Sequence, residues 1–302
     1  MIAATPAPGL VIVVGSVNMD LVFTGLTALP RAGQTVSAAG YETLPGGKGA
    51  NQASAAAAAG ARVELVARVG SDSLGDAALS DLGSRGIGLT GTSRVDGPTG
   101  VAGVLIDEAG ENVVIVAPGA NAQLGPDSVA DVEASRVVVL ACLEIPLPTV
   151  LAWARTSRER GWTFILNPAP ARELPAELLA LVDVITPNQT ELQALGDAGQ
   201  LVAHGIGAVV VTLGAEGAQL HTASGTVHQP AYPVDVVDTT GAGDAFNGAL
   251  AAALAEGQAL ADAVAFAAAS GALATRRVGA RAALASRDEL LALLSRGPAG
   301  KP

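Results

Sequence analysis

Cysteine is almost absent from this chain of 302 residues: Cys142 stands alone. A disulfide within the chain and an all-cysteine metal site are thereby excluded, a reducing cytoplasm is the natural setting, and Cys142 reads as a small core residue. Basic residues are scarce as well, 17 against 28 acidic ones, for a net charge of -11. That balance argues against nucleic acid or an anionic membrane as a partner, so any phosphate must be held by local features. His204, His221 and His228 lack metal-ligand spacing, and no serine sits in a G-x-S-x-G elbow. No Lys or Arg precedes Arg31, and Pro6 and Pro8 break the apolar start, so "MIAATPAPGLVIVVGSV" is not expected to be a secretory leader. Glu256 and Asp262 interrupt the apolar stretches near the C-terminus, and no membrane span is expected.

With 50% hydrophobic residues the chain can bury a large core. Short β-branched runs, "LVIVV", "VVVL", "TFIL", "DVIT" and "AVVVT", alternate with alanine- and leucine-rich helical stretches. Continuous apolar strands followed by helices indicate an α/β fold with a doubly wound, mainly parallel sheet covered on both faces. Two segments differ: "MDLVFTGL" with "GQTVSAAGYETL", and "TGVAGVLIDEAGENVVIVA", where "DEAGEN" is a hairpin turn. They are expected to form a small antiparallel sheet inserted in a single domain over residues 1–302, at approximately 18–44 and 98–118. No repeat of solenoid period and no composition shift marks a second domain.

Within "VVDTTGAGDAFNGALAAAL", Gly241 and Gly243 let the backbone turn tightly and bring bare N–H groups close to a ligand. Strong helix formers follow, so the free N–H groups and the positive dipole end of a helix coincide there, a seat for an anion. Asp244 in that turn is a helix cap, a metal ligand or a base. "PGGKGANQ" is not a P-loop, because Lys48 is followed by Gly49; its glycines open the backbone ahead of a helix from about Ala50, and Asn51 can bond a polyol. "GSVNMDL" puts Asn18 and Asp20 on one side of a strand, where such residues are rare; the pair suits vicinal hydroxyls or forms a turn. "LNPAPAR" and "TPNQTEL" place Asn167, Asn188 and Glu191 at carboxyl ends of strands, where ligands of open α/β sheets collect, although Asn188 equally suits a helix cap. Thr212 and Gly214 of "VTLGAEGA" meet phosphate or form a plain hairpin. "GAGDAFNG" has Phe246 where a dinucleotide fingerprint needs its third glycine, which disfavours a nicotinamide enzyme.

Together "GSVNMD", "GGKGANQ", "ENVVIVAPGANAQL", "LEIP", "NPAPARELP", "TPNQTE", "VTLGAEGA" and "DTTGAGDAFNGAL" resemble, in order and over nearly the whole chain, the ribokinase (PfkB) family of carbohydrate kinases. The resemblance implies a three-layer α/β/α sandwich with a small β-sheet lid, and ATP-dependent phosphorylation of a sugar. "GGKGAN" with "NMD" and "NPAPA" favours D-ribose, phosphorylated at its 5-hydroxyl. Other sugars or nucleosides of the family (deoxyribose, fructose, adenosine, pseudouridine) and a non-catalytic sugar sensor are the alternatives.

By the same resemblance Asp244 is the base, and Gly241, Ala242 and Gly243 form the anion hole. Asn18, Asp20, Gly46, Gly47, Lys48, Asn51 and Glu144 hold the sugar. Asn188, Thr212, Gly214, Gly217 and Gly243 meet ATP. Asn188 and Glu191 carry an N-x-x-E pattern associated with Mg²⁺. A K⁺ site is implied at Asp238, Thr240, Ala274, Arg277 and Gly279, although the serine usual after "GA" is replaced within "RAALAS". The short "GDAGQLVAHG" segment stands where relatives have a longer helix. A homodimer joined through the lid is the implied assembly.

Overall fold

Strands made only of Val, Ile, Leu and Ala have two faces to bury, and alternation along each one sends successive residues to opposite sides. The computed structural model describes residues 9–128 and 134–298. The first half of the chain contributes β1 (Leu10–Val14), β2 (Asn18–Leu26), β3 (Gly40–Gly46), α1 (Lys48–Ala58), β4 (Arg62–Val66), β5 (Arg68–Gly70), α2 (Ser73–Ser84), β6 (Ser93–Val95), β7 (Gly100–Asp107) and β8 (Asn112–Ala117). The second half begins with β9 (Val137–Cys142), α3 (Leu147–Arg160), β10 (Thr163–Asn167), α4 (Ala176–Leu179), β11 (Val184–Ile185), α5 (Gln189–Leu195) and α6 (Ala198–Ala203). It ends with β12 (Ala208–Thr212), β13 (Ala218–Thr222), β14 (Gly225–Gln229), α7 (Ala242–Ala255), α8 (Leu260–Ala274) and α9 (Arg287–Arg296).

The large sheet runs β14-β13-β12-β11-β10-β9-β1-β4. Its strands are parallel from β12 to β4, and the two remaining pairings, β12 with β13 and β13 with β14, are antiparallel. Val11 and Val13 of β1 join Val138 and Leu140 of β9 in one core, beneath the alanine-rich α1, α7 and α8. Leu10, Ile12 and Val14 join Val137, Val139, Phe164 and Trp153 in the other, beneath α3 and α4. Each fully buried aliphatic side chain contributes about 1.5–3 kcal/mol, so the sheet is a rigid platform. Alanine lets α7 lie close to α1, and Gly248 sets the contact: a Cβ there would fall 2.4 Å from the carbonyl oxygen of Gln52.

The small sheet runs β3-β2-β7-β8. It is mixed, which corrects the antiparallel expectation: β2 pairs antiparallel with β3 and β7 with β8, but β2 and β7 are parallel. Both hairpins are local. Between them the chain passes through α1, β4, β5, α2 and β6, and that crossover returns β7 in the direction of β2. In the "DEAGEN" turn Asp107 Oδ1 accepts from the N–H groups of Ala109 and Glu111. Helix α1 begins at Lys48, ahead of the expected Ala50. Residues 1–8 of the segment weighed as a leader, and residues 129–133 and 299–302 of the domain expected over 1–302, lie outside the described residues. Among those described, no helix is long and apolar enough to cross a membrane.

Candidate active site

The first turn of α7 opens on Gly241 at φ 76°, a left-handed conformation that caps the helix without any side chain. A Cβ at Gly241 would stand 2.6 Å from that of Ala280, so glycine is needed for space as well as for φ. The N–H groups of Gly243 and Asp244 have no backbone acceptor among the described residues and face the cleft with the positive end of the dipole. Asp244 does not cap its own helix. Its Oδ2 accepts from Asn51 Nδ2 at 3.1 Å and its Oδ1 from Gln52 Nε2 at 3.0 Å, both from α1. Burial pushes the Asp244 carboxyl above the usual carboxylate range, against the pull of Lys48 and the two amides; Glu144 pushes the same way as burial.

On one side of Asp244 lie the ends of β2 and β3 and the start of α1. Gly47 caps α1 at φ 88°, and a Cβ there would lie 2.6 Å from the backbone nitrogen of Asn18. Asn18 is buried, its Oδ1 accepting from Asn121 Nδ2 at 2.7 Å. The Asp20 carboxylate lies over Gly46, where a Cβ would be 2.1 Å from its Oδ1. Burial raises Asp20 to about 6, with Arg281 pulling down and Glu144 and Asp244 pushing up. Glu144 Oε2 accepts from Ser16 Oγ at 2.5 Å and from the Lys48 N–H at 3.1 Å. Burial drags the Lys48 ammonium down, but Asp244 and Glu144 more than offset it, and the group stays charged.

On the other side a cleft of about 470 Å³ is lined by Lys48, Asn188, Glu191, Thr212, Gly243 and Asp244, among others. Asn188 and Glu191 form a reciprocal capping box on α5: Asn188 Oδ1 accepts from the Glu191 N–H at 2.8 Å, and Glu191 Oε2 from the Asn188 N–H at 2.9 Å. Each keeps one polar atom free of that box. Beyond Gly243 an apolar recess of about 490 Å³ is lined by Thr212, Gly214, Gly217, Val236, Phe246 and Ala272 with their neighbours. Gly217, at φ 93°, is pressed so close that a Cβ would meet the Gln229 carbonyl at 2.1 Å.

Asp238 joins the loop before α7 to the loop after α8. Its Oδ1 accepts from the Thr240 N–H and its Oδ2 from the Gly279 N–H, both at 2.9 Å. Burial raises Asp238, but these hydrogen bonds outweigh it and hold the carboxyl below its ordinary value. Ala274 ends α8, buried; Arg277 points its guanidinium to Glu289 at 3.6 Å. The Gly279 carbonyl accepts from the Ala283 N–H at 3.3 Å.

The model of the pfkB family carbohydrate kinases matches residues 9–287. The chain belongs to the pfkB family of carbohydrate kinases. It is 37% identical over 291 residues to a ribokinase of Bacillus subtilis, covering 94% of this chain and 98% of that protein. It is 36% identical over 257 residues to a deoxyribokinase of Salmonella typhi, covering 79% of this chain and 83% of that one. Its fold superposes on the structure of an Arabidopsis thaliana ribokinase complexed with ribose and ATP with a TM-score of 0.86 and 35% identity, covering 95% of this chain and 99% of that one. The three-layer sandwich expected for the family is the one observed.

Several groups of this family member lie in the site without having been singled out in the sequence. Gln52 Nε2 bonds Asn167 Oδ1 at 3.0 Å as well as Asp244, and Asn167 Nδ2 reaches the Thr186 carbonyl. Ser16 holds Glu144, and Asn121 ties Asn18 to both backbone groups of Val17. Arg281, 5% exposed, donates to Asn51 Oδ1 at 2.9 Å. Gln52 stood inside a quoted motif, and Arg281 was the lone charge of "RAALA"; what neither shows in sequence is its partner in another element.

Proposed function

We propose that the chain is an ATP-dependent ribokinase that converts D-ribose to D-ribose 5-phosphate. One observation carries the reading. The Asp244 carboxylate borders the cleft that receives the free N–H groups of α7, while Asn51 and Gln52 hold it from the side of Asp20, Lys48 and Glu144. A base so placed stands between a polyol site and an anion site. Asp20, Asn18, Asn51, Glu144 and Lys48 hold the sugar, with Gly46 and Gly47 allowing close approach. The raised basicity of Asp244 suits it to accept the 5-hydroxyl proton as that oxygen attacks the γ-phosphate of ATP.

The turn of Gly241, Ala242 and Gly243 seats the transferring phosphoryl group; the Ala242 N–H is taken by the Thr239 carbonyl at 3.2 Å, so the donors are the free N–H groups of Gly243 and Asp244, with Lys48 adding positive charge from the sugar side. Asn188 and Thr212 border the phosphates, and Gly214 and Gly217 the nucleotide, whose base fits the apolar recess. Glu191 keeps Oε1 free and Asn188 Oδ1 keeps a second lone pair beyond the capping box, oxygens that suit Mg²⁺, which takes few protein ligands and keeps its waters and substrate phosphates; bound, it would neutralise phosphate charge. Asp238, Thr240, Ala274, Arg277 and Gly279 would hold K⁺ largely through carbonyls, at loops that Asp238 already joins. The four-stranded sheet acts as a lid. Its edge strand β8, exposed at every residue with Val113, Val114, Ile115 and Val116 outward, is the surface through which a homodimer forms.

A substrate panel tests the assignment. With ATP, Mg²⁺ and K⁺ the protein should phosphorylate D-ribose far faster than deoxyribose, fructose, adenosine or pseudouridine. A tenfold preference for any of these would transfer the assignment to that substrate, and ribose binding with no turnover under any cation would make it a sensor.

A further inference from the structure

One cation in the molecule is buried deep beside the sugar pocket and has three partners from three different elements. Arg281 Nε donates to Asn51 Oδ1 at 2.9 Å, Nη2 to the Gly46 carbonyl at 2.5 Å, and Nη1 to Asp81 Oδ2 of α2 at 2.7 Å. Asp81 is held in turn by Arg85, the residue just past the C-terminal end of α2. A guanidinium is planar, permanently charged and has its donors fixed in a fork, so three partners fix its plane completely.

The bond to Asn51 decides more than packing. A side-chain amide has two ends of nearly equal size and opposite hydrogen-bonding character. With its oxygen pinned by a cationic donor, the Asn51 amide must turn its NH₂ toward Asp244, where Nδ2 meets Oδ2 at 3.1 Å. The reverse orientation would set a carbonyl oxygen against a carboxylate and an amide N–H against a guanidinium, two repulsions inside a buried site. The same guanidinium holds the Gly46 carbonyl, and Gly46 is the residue over which the Asp20 carboxylate lies.

We infer that Arg281 is a positioning residue, which fixes the amide of Asn51 toward Asp244 and the end of β3 beneath Asp20. The inference rests on the reading of Asp244 as base and Asn51 as sugar ligand. Arg281 follows Gly279 by one residue's gap, and Gly279 is bonded to Asp238. The loop that carries the expected cation ligands therefore also carries the group that orients the base's neighbour.

A double-mutant cycle tests this. Arg281→Met should lower kcat/KM for ribose by about 10–100-fold, the usual cost of losing a group that orients a ligating residue. Most of that should be in kcat, with the ATP KM unchanged. In an Asn51→Ala background the same change should cost less than threefold. Arg281→Lys, which keeps the charge but not the fork, should recover part of the loss and guards against misfolding of the methionine variant. Equal fold-losses in both backgrounds, or lysine and methionine variants within twofold of the parent, would overturn the inference. A second readout does not depend on activity: the side-chain NH₂ signals of Asn51, identified as those lost in Asn51→Ala, should move in the Arg281 variants. Unmoved signals would also overturn it. Absence of ribose turnover in the parent would count against the assigned reaction, while the NH₂ signals would still decide the role of Arg281.

Discussion

On the side of Asp244 assigned to the sugar the walls are charged and amide side chains, Asp20, Lys48, Glu144 and Asn51, and two of them, Glu144 and Asn51, are fixed by partners from other elements. On the nucleotide side they are Gly214, Gly217, Ala268, Gly271 and Ala272, with Phe246 and Val236, and the polar contacts come from backbone and from a capping box. The difference follows from what each half must recognise. A sugar offers hydroxyls at fixed angles, which side chains of defined geometry can match one by one. A polyphosphate offers diffuse negative charge, which helix N–H groups accommodate without lysines or arginines, and this is how a chain of net charge -11 can accept it.

If the division of labour holds, damage at the junction should be greatest. Asp244→Asn removes the base and leaves its shape, so turnover should fall by about 10²–10⁴-fold in a coupled ADP assay, while calorimetry still detects ribose. Survival of a tenth of the activity would remove Asp244 from the mechanism. Gly241→Ala forces a Cβ against Ala280 and a left-handed backbone on alanine. It should cost roughly 10²-fold in kcat through the displaced anion hole, with the ribose KM little changed.

The next effect belongs to the sugar side alone. Because the Asp20 carboxyl is raised to about 6, kcat/KM for ribose should fall as pH drops through that value. For stability the sign is opposite. A carboxyl with a raised folded-state pKa favours the fold while protonated, below its unfolded value, and that contribution is lost as pH rises through about 6. Asp20→Asn should therefore melt at the parent's temperature near pH 4 and above it at pH 7.5, while losing activity. A lower melting temperature at pH 7.5 would contradict the assigned burial cost.

Smaller effects belong to the nucleotide side. Asp238→Ala unfastens the two loops joined at 2.9 Å, and its activity should no longer rise when potassium replaces sodium. Val236→Asp, at an exposed position lining the apolar recess, should raise the ATP KM several-fold and leave the ribose KM unmoved.

The same contrast explains what could be read from sequence. Glycines and helix formers announced the α7 turn, because an anion seat of backbone needs only glycine and a helix. The apolar runs announced the sheet, because strands buried on both faces leave no polar positions. Lys48 and Glu144 were reached as sugar ligands only through motif resemblance, while Asn51 was legible as a group able to bond a polyol and Asn18 with Asp20 suited vicinal hydroxyls or a turn equally. The parallel pairing of β2 with β7 was hidden because a crossover through α1 and α2 sets it, and no local signal records that. Arg281 was hidden for a similar reason: Asn51, Gly46 and Asp81 are its partners only once three distant segments have met.

The central claim is transfer of a phosphoryl group from ATP to the ribose oxygen that meets Asp244. Incubating the protein with ATP, Mg²⁺, K⁺ and ¹³C-labelled D-ribose and reading carbon–phosphorus coupling in the product tests it most directly. The account predicts coupling at C5 and stoichiometric ADP. Phosphate on C1, or ADP formed without any phosphorylated ribose, would contradict it.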